Sequence, residues 1–533
     1  MAVSTGHAHW SSRWTFLLAA VGSAVGLGNI WKFPYEAGQG GGGAFVLIYL
    51  AFVFLIGTPV LIAELSLGRR GQLSPVGSMR EIAKAEGRSS WWQLVGWSGV
   101  IGAFIVISFY SVIGGWTLGY FFQAMGGFSG YDAAISGENF QSFISDPLLP
   151  LLTHAVFMAI TVFIVARGVQ KGLEKAVTTL MPALFVILVI LVIYAGVAGN
   201  FSATIDFLFS PNFENLTPRR VVEALGLAFF SLSLALGSIM TYGSYLDRSI
   251  NVTRSAITIS AADSAVALMS GLAIFPIVFA FEGLAANQGP GLVFVTLPIA
   301  FGQMPLGVVF GTLFFGLLLV AAITSAISLL EPSVAYVEET GALSRRNAAI
   351  LIGGGAFLLG ILTAYSQGDS FLSDVRLFGF DLFGLKDYLT NNIMMPVAGM
   401  FTALFVGWFV ARKSMLAELA MSVRAFRIWY FLVRFAAPVA ILFVFLGLLF
   451  GDDFYNLLYS VDVLIGIVWF ALAIASGRLA YIRDRSPAGW FLVGLVFPFA
   501  VLFVAVATHG TIERAQLREA HKALGEPEDR DEY

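Results

Sequence analysis

Residues 22–34 read GSAVGLGNIWKFP, inside a long apolar run, and this stretch decides the architecture. Three glycines in seven residues, Gly22, Gly26 and Gly28, each weaken a helix by about 1 kcal/mol against alanine. Close helix packing through small residues would account for the glycines alone. It does not account for Asn29 and Lys32, because polar and ionisable groups inside a membrane span are costly and are usually functional. The stretch therefore reads as a functional break in a membrane helix. A second mixture of small, hydroxylated and apolar residues, FFSLSLALGS, occupies 229–238.

Outward from these stretches the chain reads as an all-α polytopic membrane protein. Of its 533 residues 58% are hydrophobic and only 12% charged, against about 25% charged in soluble proteins; mean hydropathy is +0.83. A bilayer core needs about 20 apolar residues per helix. The candidate spans are 14–37, 43–68, 91–124, 150–167, 174–198, 221–246, 255–283, 305–336, 346–364, 388–411, 427–450 and 460–480, with a thirteenth at 489–508. A net charge of −3 gives no reason to expect a nucleic-acid partner, and the lack of Cys excludes thiol chemistry. No Ser/His/Asp set, metal motif or acid pair suggests an enzyme. The N-terminus shows no removable signal peptide.

Most Lys and Arg fall in loops on one side, among them Arg69, Arg70, Arg167, Lys171, Arg248, Arg345, Arg412 and Arg478. The other side holds only Arg219, Arg220, Arg376 and Lys386. The positive-inside rule then puts the N-terminus in the cytoplasm. Short loops and the absence of Cys suit a prokaryotic inner membrane. The side of the tail at 509–533 depends on whether 489–508 crosses. The two broken stretches fall in spans one and six. An odd offset reverses helix direction, so two five-helix halves would be inverted repeats, and matching breaks point to a midplane transport site.

The motifs around these breaks carry a family resemblance. WSSRWTFLLAAVGSAVGLGNIWKFPYEAGQGGGGAFVLIYL (10–50) closely resembles the first helix and second-helix start of the neurotransmitter:sodium symporter family. The resemblance continues at SFYSVIGGWTLGY (108–120), AFFSLSLALGSIMTYGSY (228–245), AAITSAISLLEP (321–332) and KDYL (386–389), and it weakens after about 450. It implies a LeuT-like fold in a single transmembrane domain. Spans 1–5 (13–198) and 6–10 (220–411) would be the inverted repeats, with accessory helices at 427–508 and a charged tail at 509–533. It also implies sodium-driven import of a small amino acid by a monomer or loose dimer set in membrane lipid.

Carried over position by position, the resemblance implies two Na⁺ sites. The first would use Ala24, Asn29, Ser231 and Asp263, and the second Gly22, Val25, Ala321, Thr324 and Ser325. All would be oxygen ligands, as a hard cation prefers. Where many relatives need chloride, this chain has the carboxylate of Asp263, and the neighbouring chloride positions hold Leu227 and Ala267. Chloride is therefore not expected. The other reading of Asp263 is a residue facing water at the start of span seven.

The implied substrate pocket is Ser23, Ala24, Leu27, Gly28, Val106, Tyr110, Phe230, Ser231, Ser233, Leu236, Ser325 and Leu329. Tyr110 and the Gly28 N–H would hold a substrate carboxylate. Monoamine carriers of the family have Asp where this chain has Gly26, so this substrate brings its own carboxylate. Leu27 favours an α-amino acid, and the apolar lining favours an aliphatic or aromatic side chain. Ala235 stands in place of a family glycine. Lys32 and Asp387 match the outer gate pair. Trp10, Tyr245 and Glu339 match inner gate positions, and His7 stands where the family has Arg. His7 either pairs with Glu339 when protonated or is a solvated tail residue. The rival readings are a non-transporting amino-acid sensor of the same fold and a carrier of some other small apolar molecule.

Overall fold

The computed structural model describes residues 9–213, 216–281, 291–370 and 372–459, and parts of 470–496. Residues 1–449 form one compact unit and 450–533 a second. His7 and the tail at 509–533 lie outside the described residues, as does most of the stretch covering the last two candidate spans.

The first unit begins with α1 (Arg13–Ala24) and α2 (Gly28–Gln39), which meet at a 49° bend. Then come α3 (Gly43–Gly71), α4 (Pro75–Ala85), α5 (Ser90–Gly126), α6 (Ala133–Ser145), α7 (Leu149–Ala166), α8 (Val169–Ala198) and α9 (Phe201–Phe209). The second half runs through α10 (Pro218–Ser231), α11 (Ser238–Ser244), α12 (Val252–Phe279), α13 (Leu292–Gln303), α14 (Gly307–Glu339), α15 (Arg345–Gln367) and α16 (Leu382–Phe409). It closes with α17 (Arg412–Leu419) and α18 (Val423–Gly447). The second unit contains α19 (Pro487–Val496).

Among the described residues nine helices are long and apolar enough to cross a membrane, and the bent pair makes a tenth. The sequence spans anticipated each of these. The short helices α4, α6, α9, α13 and α17 were not anticipated, because they lack a span-length apolar run.

Both breaks have local causes. α1 starts at a capping box, in which Ser12 and Thr15 bond each other's backbone N–H at 3.2 Å, and α1 stops because Val25 turns to an extended ψ of 104°. A side chain at Gly26 would collide with Ser325, whose Oγ would lie 2.4 Å from the added Cβ. Between α10 and α11 the chain passes through left-handed conformations at Ser233 (φ 52°), Ala235 (φ 67°) and Gly237 (φ 72°). Each non-glycine in this region costs about 1–2 kcal/mol. Hydrogen bonds hold it there: Ala235 N–H donates to Glu64 Oε1 at 2.7 Å, and Ser238 Oγ to the Ser328 carbonyl at 2.8 Å. α5 and α14 pack along each other, with α7 and α15 against α5 and α11 against α3. The breaks lie between these helices, so α5 and α14 supply the walls around them.

Candidate functional site

The two breaks meet. Ser233 Oγ donates to the Ser23 carbonyl at 2.7 Å, and the Phe230 ring lies 3.0 Å from where a Gly28 Cβ would stand. A small cavity lies between them, about 30 Å³, which is room for a water or two. Its wall contains every residue of the expected substrate pocket except Ser231, and adds Gly26. α5 contributes Val106 and Tyr110, and α14 contributes Ser325 and Leu329. Two buried hydroxyls here, Ser23 Oγ and Tyr110 Oη, have no hydrogen-bond partner among the described residues. A buried polar atom without a partner costs about 1–3 kcal/mol, so both are poised to bond something that enters.

Ser231 turns the other way, toward Asp263. Asp263 is completely buried rather than facing water. Its Oδ1 accepts from Asn29 Nδ2 at 2.7 Å, and its Oδ2 from Ser231 Oγ at 3.0 Å and Tyr49 Oη at 3.4 Å. Asn29 Oδ1 in turn accepts from the Gly26 N–H at 3.2 Å. Ala24, the remaining member of this expected set, ends α1. Leu227 and Ala267 are buried apolar residues.

The other expected cation set also gathers. Ser325 Oγ lies 3.4 Å from the Gly22 carbonyl and 3.3 Å from that of Val25. Thr324 Oγ1 lies 3.1 Å from the Ala321 carbonyl. These oxygens are neutral, so one set carries a carboxylate and the other none. Among the described residues no three His, Cys, Asp or Glu gather as a transition-metal site would require.

Above the cavity a wider vestibule of about 230 Å³ is lined by Lys32, Asp387, Tyr110, Phe230, Trp31 and Phe383, among others. Lys32 and Asp387 share this space without forming an ion pair. Lys32 Nζ sits 4.7 Å over the Phe230 ring, and Asp387 Oδ1 accepts from Asn391 Nδ2 at 2.6 Å. The opposite face is closed. Trp10 Nε1 donates to the Tyr242 carbonyl at 3.0 Å, and the Trp10 ring packs edge-on against Tyr242 and Tyr245. Tyr245 Oη donates to Glu331 Oε1 at 2.7 Å. Arg345 holds both oxygens of the buried Glu331 at 2.8 and 2.6 Å. Glu339 is placed elsewhere: its carboxylate accepts the Ser74 N–H at the start of α4.

Sequence reasoning missed Tyr49, Glu64, Glu331 and Arg345. Glu64 and Glu331 were findable as acids within apolar runs. Tyr49 and Arg345 carried no local signal.

The contact at Gly26 makes a prediction. Gly26→Ala must displace Ser325 Oγ, and such overpacking costs about 1–3 kcal/mol. Sodium-dependent ligand binding by the purified variant should weaken by about 5- to 100-fold. Unchanged binding would mean that Ser325 is free to move aside.

Two broken helices meeting in mid-bundle, with buried oxygen sets on either side of a small cavity, define a secondary transporter built for a cation and a small solute. The comparisons agree. The profile of the Sodium:neurotransmitter symporter family matches residues 7–132 and 144–474, and the chain belongs to that family. An uncharacterized sodium-dependent transporter of Bacillus subtilis, YhdH, is 42% identical over 445 residues, covering 83% of this chain and 97% of the relative. An uncharacterized sodium-dependent transporter of Haemophilus influenzae is 33% identical over 450 residues, covering 83% and 98%. Among solved structures, MhsT in complex with L-phenylalanine matches with a TM-score of 0.77 at 43% identity, covering 83% of this chain and all of that one. The protein is a sodium-dependent symporter with a LeuT-like fold, embedded in the membrane by multiple spans, and is not an enzyme.

Proposed function

We propose that the chain imports an α-amino acid with an apolar side chain, driven by Na⁺ at two sites and without chloride. The observation that carries this reading is the buried Tyr110 Oη, without a hydrogen bond among the described residues, at a cavity whose remaining wall is largely apolar. A substrate carboxylate would accept from Tyr110 and from the backbone N–H of Gly28. Its amine would donate to carbonyls at the two breaks and to Ser233. Val106, Leu236 and Leu329, with Phe230 over them, would take the side chain, and these side chains must yield for a substrate of amino-acid size. Gly26 leaves no acid for an amine lacking its own carboxylate. The relative bound to L-phenylalanine in its crystal structure supports a substrate of this class.

The first Na⁺ would sit between Asn29, Ser231, Asp263 and the Ala24 carbonyl, touching the substrate carboxylate and so linking the two. The second would rest on the Gly22, Val25 and Ala321 carbonyls with the Thr324 and Ser325 hydroxyls. Asp263 would supply the negative charge that chloride supplies in other members, and Leu227 and Ala267 offer an anion nothing to bind. With the Trp10 face toward the cytoplasm, as the loop charges suggest, the vestibule opens outward. Lys32 and Asp387 would then draw together over a bound substrate.

Tyr110→Phe tests the carboxylate contact. The hydroxyl makes no hydrogen bond among the described residues, so its loss should leave the fold intact. A hydrogen bond to a charged group contributes about 1.5–3 kcal/mol, so phenylalanine affinity should fall about 10- to 100-fold at saturating sodium. Wild-type affinity in the variant would sink the proposed pose.

A further inference from the structure

The end of α16 and the first half of α18 carry an arrangement that the proposed transport site does not use. α18 is an apolar span, yet Arg434 lies within it. Its guanidinium stacks 4.0 Å over Trp408 and lies 5.5 Å from the Phe435 ring. Its one hydrogen bond among the described residues is a 3.3 Å contact to Tyr430 Oη. The buried Nε has no acceptor, although a guanidinium offers five donors. Arg412, exposed at the start of α17, lies 5.7 Å from the same Tyr430 ring. Among the described residues neither arginine has a carboxylate partner. The nearby acids are committed: Glu418 to Arg69, and Glu86 to Arg70 and the Ala411 N–H.

The helices are held close at this point. Gly407 lies so near Arg434 that a Cβ there would come within 2.7 Å of the arginine Cα. Tyr430 Oη donates to the Gly407 carbonyl at 2.9 Å, and Trp408 Nε1 to the Arg434 carbonyl at 2.9 Å. Arg424, Arg427 and Lys413 are exposed along the same edge. Beside these cations, Trp408, Ile428 and Phe431 are exposed apolar groups. Cations at the end of an apolar, aromatic-rich surface match the boundary between acyl chains and headgroups.

We propose that this edge is a binding site for an anionic phospholipid. Its headgroup phosphate would bridge Arg434 and Arg412, and its acyl chains would run along Trp408 and Phe431. Arginine suits the task because its planar fork pairs with phosphate oxygens in a bidentate way.

The test uses the full chain in dodecyl maltoside, titrated with phosphatidylglycerol or phosphatidylcholine, with thermal unfolding and lipid retention in native mass spectrometry as readouts. Phosphatidylglycerol is expected to be retained and to raise the unfolding temperature by about 5 °C, as a ligand of the native state does. Arg434→Gln and Arg412→Gln should each lose at least half of that shift, whereas Lys84→Gln, at an exposed position on α4, keeps it. Should Arg434→Gln fail to fold, the exposed Arg412→Gln decides. Equal effects of the two lipids, the same shift from inorganic phosphate, or a full shift in Arg412→Gln would each overturn the proposal.

Discussion

Asp263→Ala should raise the sodium concentration needed for half-maximal substrate binding by at least 100-fold. Asp263 is fully buried, and among the described residues its carboxylate receives hydrogen bonds only from the neutral donors Asn29, Ser231 and Tyr49. A carboxylate in that setting is costly unless a cation sits beside it. Truncation removes the one charge of the set and takes the carboxylate acceptor from three donors. Losing one partner of a buried charge pair costs about 3–5 kcal/mol, equivalent to roughly 10²–10⁴-fold in affinity. Asp263→Asn keeps the shape but not the charge, and should fall between. The companion expectation is that wild-type uptake is unchanged when gluconate replaces chloride. Equilibrium binding of labelled phenylalanine over a sodium series reads the first effect. A variant with the wild-type sodium midpoint would remove Asp263 from the cation site.

The second large effect is expected at the opposite face. Arg345→Ala should unlock it, because Glu331 is then left buried and unpaired beneath Tyr245. The same 3–5 kcal/mol applies, here against the closed arrangement in which Trp10 is pinned to Tyr242 and Tyr245. The population open at this face should rise by about 100-fold or more. The chain has no native Cys, so a single cysteine at the buried Thr241 reports opening through its rate of thiol labelling. Removing both charges in Glu331→Gln/Arg345→Gln should be milder than Arg345→Ala, since no isolated charge remains. Equal labelling in Arg345→Ala and its parent would show that the ion pair does not hold the face shut.

The spans and both breaks were legible in the sequence because they leave local signals. Apolar length marks a span, and Gly22, Gly26, Gly28 and Asn29 mark the first break without reference to anything distant. The break between α10 and α11 was legible as a mixed stretch, but the left-handed backbone at Ser233 and Ala235 was not. It depends on Glu64, more than 150 residues earlier, which bonds the Ala235 N–H. The gates show the same division. Residue type and position brought Lys32 and Asp387 to one vestibule, yet whether they touch is a matter of conformation. At the Trp10 face Glu339 was expected at the gate, with His7 as one reading of its partner and His7 outside the described residues, and the buried ion pair there is Glu331 with Arg345. Nothing in a linear reading says which of several acids near the end of α14 faces α15.

Sodium-driven uptake in proteoliposomes tests amino-acid import by this protein most directly. Purified protein would be offered each of the amino acids in turn, with an inward sodium gradient and with that gradient abolished. The expected result is accumulation of phenylalanine and other apolar α-amino acids above equilibrium, lost when sodium is equal on both sides and indifferent to chloride. If no α-amino acid accumulates while the gradient is intact, the proposed substrate class is wrong.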